Sequence, residues 1–306
     1  MELFVHADYK ILEKKKIAAT VSLSLILIGL FFIIFHHGLK LGIDFEGGTL
    51  MQLQFEQPIQ VSEVRNALSN LGLQDAEIQQ FGSPNEVIIR VLKLEEQQGE
   101  ETAQQMQQSL GQALPNNSFE VRRLEQVGPK IGGELRGKAL LAILSALLGI
   151  VVYVSIRFEF KYAIAAIVAL IHDVLITLGV FSVLNLEISL AIIAAFLTIV
   201  GYSLNDTIVV FDRVRENLKS LRRDPYEKIV NLSINQSLSR TVVTSLTTFI
   251  VVLILWLGGG EVIKNFAFAL VIGVIVGTYS SIYVASPIVV AWNERAASNG
   301  KLRKKR

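Results

Sequence analysis

The sequence predicts a polytopic α-helical membrane protein with six transmembrane helices and one α+β domain, of ferredoxin-like βαββαβ order, between the first and second spans. Three observations carry this. Hydrophobic residues make up 51% of the 306. They are gathered into six nearly charge-free runs long enough to cross a bilayer, which takes about 20 residues. Residues 36–137, by contrast, alternate strand and helix periodicities as a soluble domain does. Lysines and arginines sit at the ends of the apolar runs, and a net charge of +2 leaves no electrostatic footprint for nucleic acid.

Residues 1–16 are a polar start carrying Lys10, Lys14, Lys15 and Lys16. The run 17–35 is longer than a signal-peptide core and exits through FHHGLK instead of a small-residue cleavage site, so it reads as a retained anchor. Inside the domain, Thr49–Glu56 places Met51, Leu53 and Phe55 on one face, the mark of a half-buried strand. Ser62 is expected to cap a helix bearing Val64, Leu68 and Leu71, which Gly72 ends. Glu77–Phe81 and Glu86–Leu92 read as strands around a GSPN turn. Glu95–Leu114 reads as a helix, on the recurrence of Met106, Leu110 and Leu114, and Ser118–Val127 as the last strand. The resulting βαββαβ order hosts many unrelated functions and by itself predicts none.

The remaining spans are 138–156, 162–184, 188–211, 241–257 and 265–291, with a polar loop over 212–240 and a basic tail over 292–306. In the last span Ala269, Gly273, Gly277, Ser281 and Ala285 recur every four residues, a ridge suited to close helix packing within the bundle. Orientation follows from the basic residues. One side holds Lys14–Lys16, Arg157, Lys161, the 212–240 segment and the tail; the short connections on the other hold only Lys264. Both termini are therefore expected in the cytoplasm and the domain outside.

The fourth span carries GYSLNDTIVVFDRVREN over Gly201–Asn217. An ionised carboxylate at a helix centre costs about 2.5–3.5 kcal/mol on insertion scales, so Asp206 needs a partner, a proton or a task. Ser203, Asn205 and Thr207 supply a short polar face around it, and Asp206, Val210 and Arg213 share one side of the helix. Arg240, at the start of the fifth span, is its expected partner; the same residue also suits a snorkelling position. His172 and Asp173 lie deeper, near the middle of the third span, and point about 100° apart. A proton relay and a structural interhelical bond both fit them. No further ligand accompanies the histidine, which argues against a metal site. Asp44, Gly47 and Gly48 stand where the chain enters the domain, as a turn or a hinge.

Three motifs together are far more specific than any alone: LGIDFEGG at Leu41–Gly48, VGP at Val127–Pro129, and the Gly201–Asn217 segment. With six spans and one large first excursion, they closely resemble the SecF family of bacterial protein-export subunits, over nearly the whole chain. The resemblance implies an inner-membrane protein that works with SecD and the SecYEG channel, with YajC as a further companion, on a translocating preprotein. It also implies that the proton-motive force drives the late, post-ATP steps, and that Asp206 and Arg240 match an aspartate and an arginine of the family's proton path. Domain movement in the family favours the hinge reading of Gly47–Gly48. Through the related resistance-nodulation-division transporters, it implies that this chain is one half of a two-chain bundle.

The residues themselves exclude several alternatives. There is no cysteine, hence no disulfide and no thiolate ligand. No phosphate-binding loop or nucleophile–base pair is present, so neither an enzyme nor an ATP-driven machine is expected, and no cofactor is called for. Two other classes stay open: an assembly scaffold whose buried charges only pair helices, and half of a small-molecule efflux transporter.

Overall fold

Hydropathy and periodicity separate two kinds of material, and a computed structural model, which describes residues 8–73, 76–92 and 98–304, divides the chain accordingly. The sheet-bearing unit comprises Lys40–Ala142 and Glu187–Leu190; the helical unit comprises Met1–Leu39, Ile143–Leu186 and Ala191–Arg306.

The sheet-bearing unit starts with a single helical turn, α2 (Ile43–Glu46), which follows α1 (Lys15–Phe35) in the chain. Then come β1 (Gly48–Phe55), α3 (Val61–Leu68), β2 (Glu77–Phe81), β3 (Ser83–Leu92), α4 (Gln98–Ala113) and β4 (Phe119–Val127). The strand order is β2-β3-β1-β4, every pair antiparallel, which is the ferredoxin-like arrangement. Alternation decides what is buried. Met51, Leu53 and Phe55 of β1 join Val87 and Ile89 of β3, Val64 and Leu68 of α3, and Met106 and Leu110 of α4 in one core.

Some local expectations give way. The cap of α3 is Gln60, in a reciprocal capping box with Glu63, while Ser62 lies inside the first turn. β3 begins at Ser83, because the chain reverses at Gly82 (φ +72°) and needs no longer turn. Gly72 does end its segment in the left-handed region. Of the helix expected over Glu95–Leu114, residues 95–97 lie outside those described, as do residues 1–7 of the expected cytoplasmic start and 305–306 of the tail.

The other helices besides α1 are α5 (Pro129–Arg157), α6 (Phe160–Val183), α7 (Leu190–Ser220), α8 (Tyr226–Gly258), α9 (Glu261–Ser280) and α10 (Ser286–Lys304), the last two joined by a π-helical turn, Ser281–Ala285. Together with α1 they supply six helical spans long and apolar enough to cross a membrane. α6, α7 and the α9–α10 span are about half buried, whereas α1, α5 and α8 keep most of their apolar surface outward. Close approach is made at glycines. A Cβ on Gly29 of α1 would lie 2.5 Å from Gly179 Cα of α6, and one on Gly277 would lie 2.9 Å from Ser203 Cβ of α7.

Several helices outrun the apolar runs that announce them. α5 starts at Pro129 instead of residue 138, α7 continues to Ser220, and α8 starts at Tyr226. The segment 212–240 is thus two helical extensions around a short turn and not a loop. Hydropathy reports which turns face an apolar phase, but backbone hydrogen bonding continues until a residue stops it. Pro129 at the first position of α5 and Pro225 as the cap of α8 set those limits. In the last span Pro287 lacks an N–H and its ring crowds the carbonyl four residues back, which accounts for the widened turn before it. There Ser286 Oγ donates to Ser281 O at 2.9 Å.

Two glycines of the chain's entry into the sheet are structurally obligatory. Gly47 (φ +77°) and Gly48 (φ +142°) both adopt backbone angles open to glycine. A Cβ on Gly47 would lie 2.8 Å from Pro129 Cα, and one on Gly48 would overlap the Val91 carbonyl. Gly48→Ala is therefore expected to cost more than about 2 kcal/mol, as strain and overlap combine. Gly133→Ala, in open space on α5, should be neutral or gain up to about 1 kcal/mol. Thermal unfolding of the detergent-solubilised chain separates them; equal midpoints would remove the packing argument.

Candidate proton-handling site

Asp206 lies on the buried stripe of α7 that also holds Ile199, Ser203, Val210, Val214 and Asn217. It is 2% exposed. Ser245 Oγ of α8 donates to Asp206 Oδ2 at 3.2 Å, and Thr278 Oγ1 of α9 donates to Ser245 Oγ at 2.8 Å. Arg240, one turn earlier on α8, is exposed and makes no ion pair with Asp206 among the described residues. Thr207 is buried beside Asp206, while Asn205 points to the exposed side of α7. Arg213, although only about 20° round the helix from Asp206, is exposed and pairs with Glu216 at 3.0 Å.

His172 and Asp173 form a second buried cluster. Asp173 is fully buried and His172 is 6% exposed. His172 Nδ1 lies 2.9 Å from Asp173 Oδ1. The outer edges of the pair face different helices, as their 100° separation requires. His172 Nε2 meets Ser22 Oγ of α1 at 3.0 Å, whereas Asp173 Oδ2 accepts from Ser203 Oγ of α7 at 2.6 Å and Ser280 Oγ of α9 at 2.8 Å. Thus α7 and α9 each serve both clusters: Ser203 precedes Asp206 by one turn, and Thr278 and Ser280 are neighbours on α9. The small-residue ridge makes this possible. Gly273 packs on Ile199, Gly277 packs on Ser203, and Ser281 is buried with its hydroxyl on the Thr278 carbonyl.

The Leu41–Gly48 motif does two jobs within the sheet-bearing unit. Its second half turns the chain into β1 through Gly47 and Gly48. Its first half grips the connection Glu187–Leu190. Leu41 bridges Ile188 in parallel, with Ile188 N donating to Lys40 O at 2.8 Å and Gly42 N to Ile188 O at 2.9 Å. Gly42 leaves room for the Glu187 carboxylate, and Asp44 Oδ2 accepts from Leu190 N at 2.8 Å, capping α7. Glu187 also pairs with Arg90 at 2.5 Å, and Glu77 bridges Arg90 and Lys40 at 2.9 and 3.0 Å. Burial pushes the Glu187 carboxyl up against the pull of Arg90 and Lys40. For Glu77 burial works the same way, but hydrogen bonds from Lys40 and Arg90 outweigh it and hold the carboxyl below its usual range.

Sequence reading missed Ser22, Ser245, Thr278, Tyr279 and Ser280. Each is a hydroxyl in a helical run where nothing local separates a ligand of a buried acid from a back-bonded helical residue.

Residues 91–295 match the family model for protein export membrane protein SecD/SecF, C-terminal, and residues 32–59 match the SecD/SecF GG motif. Proteins named protein translocase subunit SecF are similar: one from Calditerrivibrio nitroreducens is 51% identical, covering 91% of this chain and 92% of its own. Another, from Rhodothermus marinus, is 44% identical over 99% of both. The crystal structure of SecDF, a translocon-associated membrane protein from Thermus thermophilus, superposes with a TM-score of 0.84 at 41% identity. It covers 96% of this chain, which spans 40% of that longer one.

The motif's grip is directly testable in this cysteine-free chain. Neighbouring strands lie about 4.8 Å apart, inside the Cα window of about 4.4–6.8 Å for a disulfide. Leu41→Cys with Ile188→Cys should cross-link under mild oxidation, read by mass and gel mobility, while Leu41→Cys with Ser83→Cys should not. Failure of the first pair would contradict the bridge.

Proposed function

The chain belongs to the SecF family of protein-export membrane subunits, and on that premise we propose that it couples inward proton movement to late preprotein translocation. It is a multi-pass inner-membrane component of the Sec export system with SecD as its partner. The proposal extends to its surroundings: lipid around the outward faces of α1, α5 and α8, the SecYEG channel and YajC as further companions, and no cofactor beyond the gradient. Both termini lie in the cytoplasm and the sheet-bearing unit in the periplasm, where it handles the emerging polypeptide. The basic residues at the ends of α1, α5 and α7 support that orientation.

One observation carries the proton reading. Asp206 is buried in the bundle with a hydroxyl donor at hydrogen-bond distance and no salt bridge among the described residues. A carboxyl so placed is free to exchange a proton, whereas one locked in a close ion pair is not. Inward proton movement releases about 2.3 kcal/mol per 100 mV, comparable to the cost of a charge at a helix centre. Asp206 carries the proton, Ser245 and Thr278 orient its carboxyl, and Arg240 stabilises the ionised state. His172 and Asp173 take part as a second polar cluster, on α6, which shares α7 and α9 with the first. Asp44, Gly47 and Gly48 set the chain's entry into the periplasmic unit, whose movement answers that of the bundle.

The test is preprotein release into inverted vesicles carrying the whole complex, with and without an imposed gradient. Asp206→Asn should assemble normally and lose the gradient-dependent part by at least roughly tenfold, as loss of an essential proton site does. Asp206→Glu should keep partial activity, and Arg240→Lys should exceed Arg240→Met. A parental response from Asp206→Asn would leave only a scaffold. Orientation is read separately: Ser83→Cys should react with an impermeant thiol reagent from the periplasmic side and Ser220→Cys should not. Reversed labelling would invert the proton path.

A further inference from the structure

The His172–Asp173 cluster permits a proton count. Tyr279 Oη donates to the Ala18 carbonyl at 2.8 Å, which uses its only proton. Ser22 Oγ lies 3.0 Å from Tyr279 Oη and 3.0 Å from His172 Nε2. With Tyr279 already donating elsewhere, the first contact is a hydrogen bond only if Ser22 gives its proton to Tyr279. Ser22 then has none left for the imidazole, so the second is a hydrogen bond only if His172 Nε2 carries a hydrogen and donates. On the other edge, Nδ1 and Asp173 Oδ1 at 2.9 Å need one proton between them. Asp173 Oδ2 already accepts from Ser203 and Ser280. Whether the shared proton sits on Nδ1 or on Oδ1, the total is the same: one more than a neutral imidazole beside a carboxylate.

We infer that His172 and Asp173 form a second proton-binding site in the bundle, distinct from Asp206 and loaded in this conformation. Electroneutrality is the physical reason. The elements packed on the pair present Ser22 from α1, Ser203 from α7, and Tyr279 and Ser280 from α9, with Thr177 on α6 itself donating to the Asp173 carbonyl. Among the described residues no lysine or arginine bonds either member. An ionised Asp173 beside a neutral histidine would leave a full negative charge buried; the extra proton cancels it.

Unloading has a defined structural consequence. If the Nε2 proton leaves to water, Nδ1–H stays on the carboxylate and Nε2 becomes an acceptor. The Ser22 hydroxyl then rotates from Tyr279 to Nε2, which removes the hydrogen bond between α1 and α9 that Ser22 makes in the loaded state. One proton is thereby converted into one interhelical contact. The use of this site during export rests on the proton-coupled reading above; the proton count does not.

The experiment is solid-state ¹⁵N NMR on the full chain in bilayers with its SecD partner, histidine-labelled, at neutral pH. The four histidines are resolved by difference with His172→Gln. His172 should show a protonated Nε2, with Nδ1 either protonated too or bare opposite a carboxylic acid whose carbonyl signal Asp173→Asn removes. The same spectrum is expected in Asp206→Asn, as the sites load independently. A bare Nε2 with Nδ1–H and an ionised Asp173 would overturn the proposal. In vesicles, Asp173→Asn should leave the complex assembled and lower gradient-dependent export at least roughly fivefold, the low end of site-to-site coupling. Unchanged export would remove the site from the cycle. A gradient response surviving in Asp206→Asn would instead sink the proton-coupled reading while the spectrum still decides the count.

Discussion

An ionisable group inside an apolar helix bundle has to be met by donors or acceptors from other helices, and this requirement governs the packing of the spans. Asp206, His172 and Asp173 stand on α7 and α6, but their partners come from α1, α7, α8 and α9. Serine and threonine are suited to the role because a hydroxyl reaches a carboxylate only when the two backbones are close. Small residues then become a condition of the chemistry: Gly277 admits Ser203, and Ser203 in turn reaches Asp173. A leucine at Gly277 would separate α7 from α9 and strip Asp173 of a donor without touching any charge.

The same reasoning explains why the two clusters are built differently. Asp206 accepts from Ser245 at 3.2 Å and makes no ion pair among the described residues. The His172–Asp173 pair is saturated on every edge and neutralises itself. The two acids stand on α6 and α7, and α9 contributes hydroxyls to both clusters.

At the entry to the sheet a different constraint rules, that of backbone meeting backbone. Gly47 and Gly48 are not interchangeable with alanine, since each faces backbone atoms that cannot withdraw and holds an angle that favours glycine. The turn reading of this motif is therefore supported by packing. What the motif adds is a grip on the Glu187–Leu190 connection, where Asp44 accepts from the Leu190 N–H. Arg90, a strand residue with no local mark of importance, holds that grip through Glu187 and Glu77.

The sequence alone determined what depends on neighbours in the chain. Six apolar runs, the βαββαβ order, the buried face of β1 and the suspicion attached to Asp206 and His172–Asp173 all follow from hydropathy and periodicity, which are local. Tertiary structure decided the rest. Ser22 and Tyr279 are separated by 257 positions, Ser203 and Asp173 by 30, and Asp44 and Leu190 by 146. No window along the chain contains such pairs. The helices likewise run beyond the apolar spans at residues 138, 211 and 241, because hydropathy records where an apolar phase begins and a helix ends only where its hydrogen bonds do. A buried acid announces itself by its type; which hydroxyl meets it, and hence which proton it can hold, is settled only when distant helices come into contact.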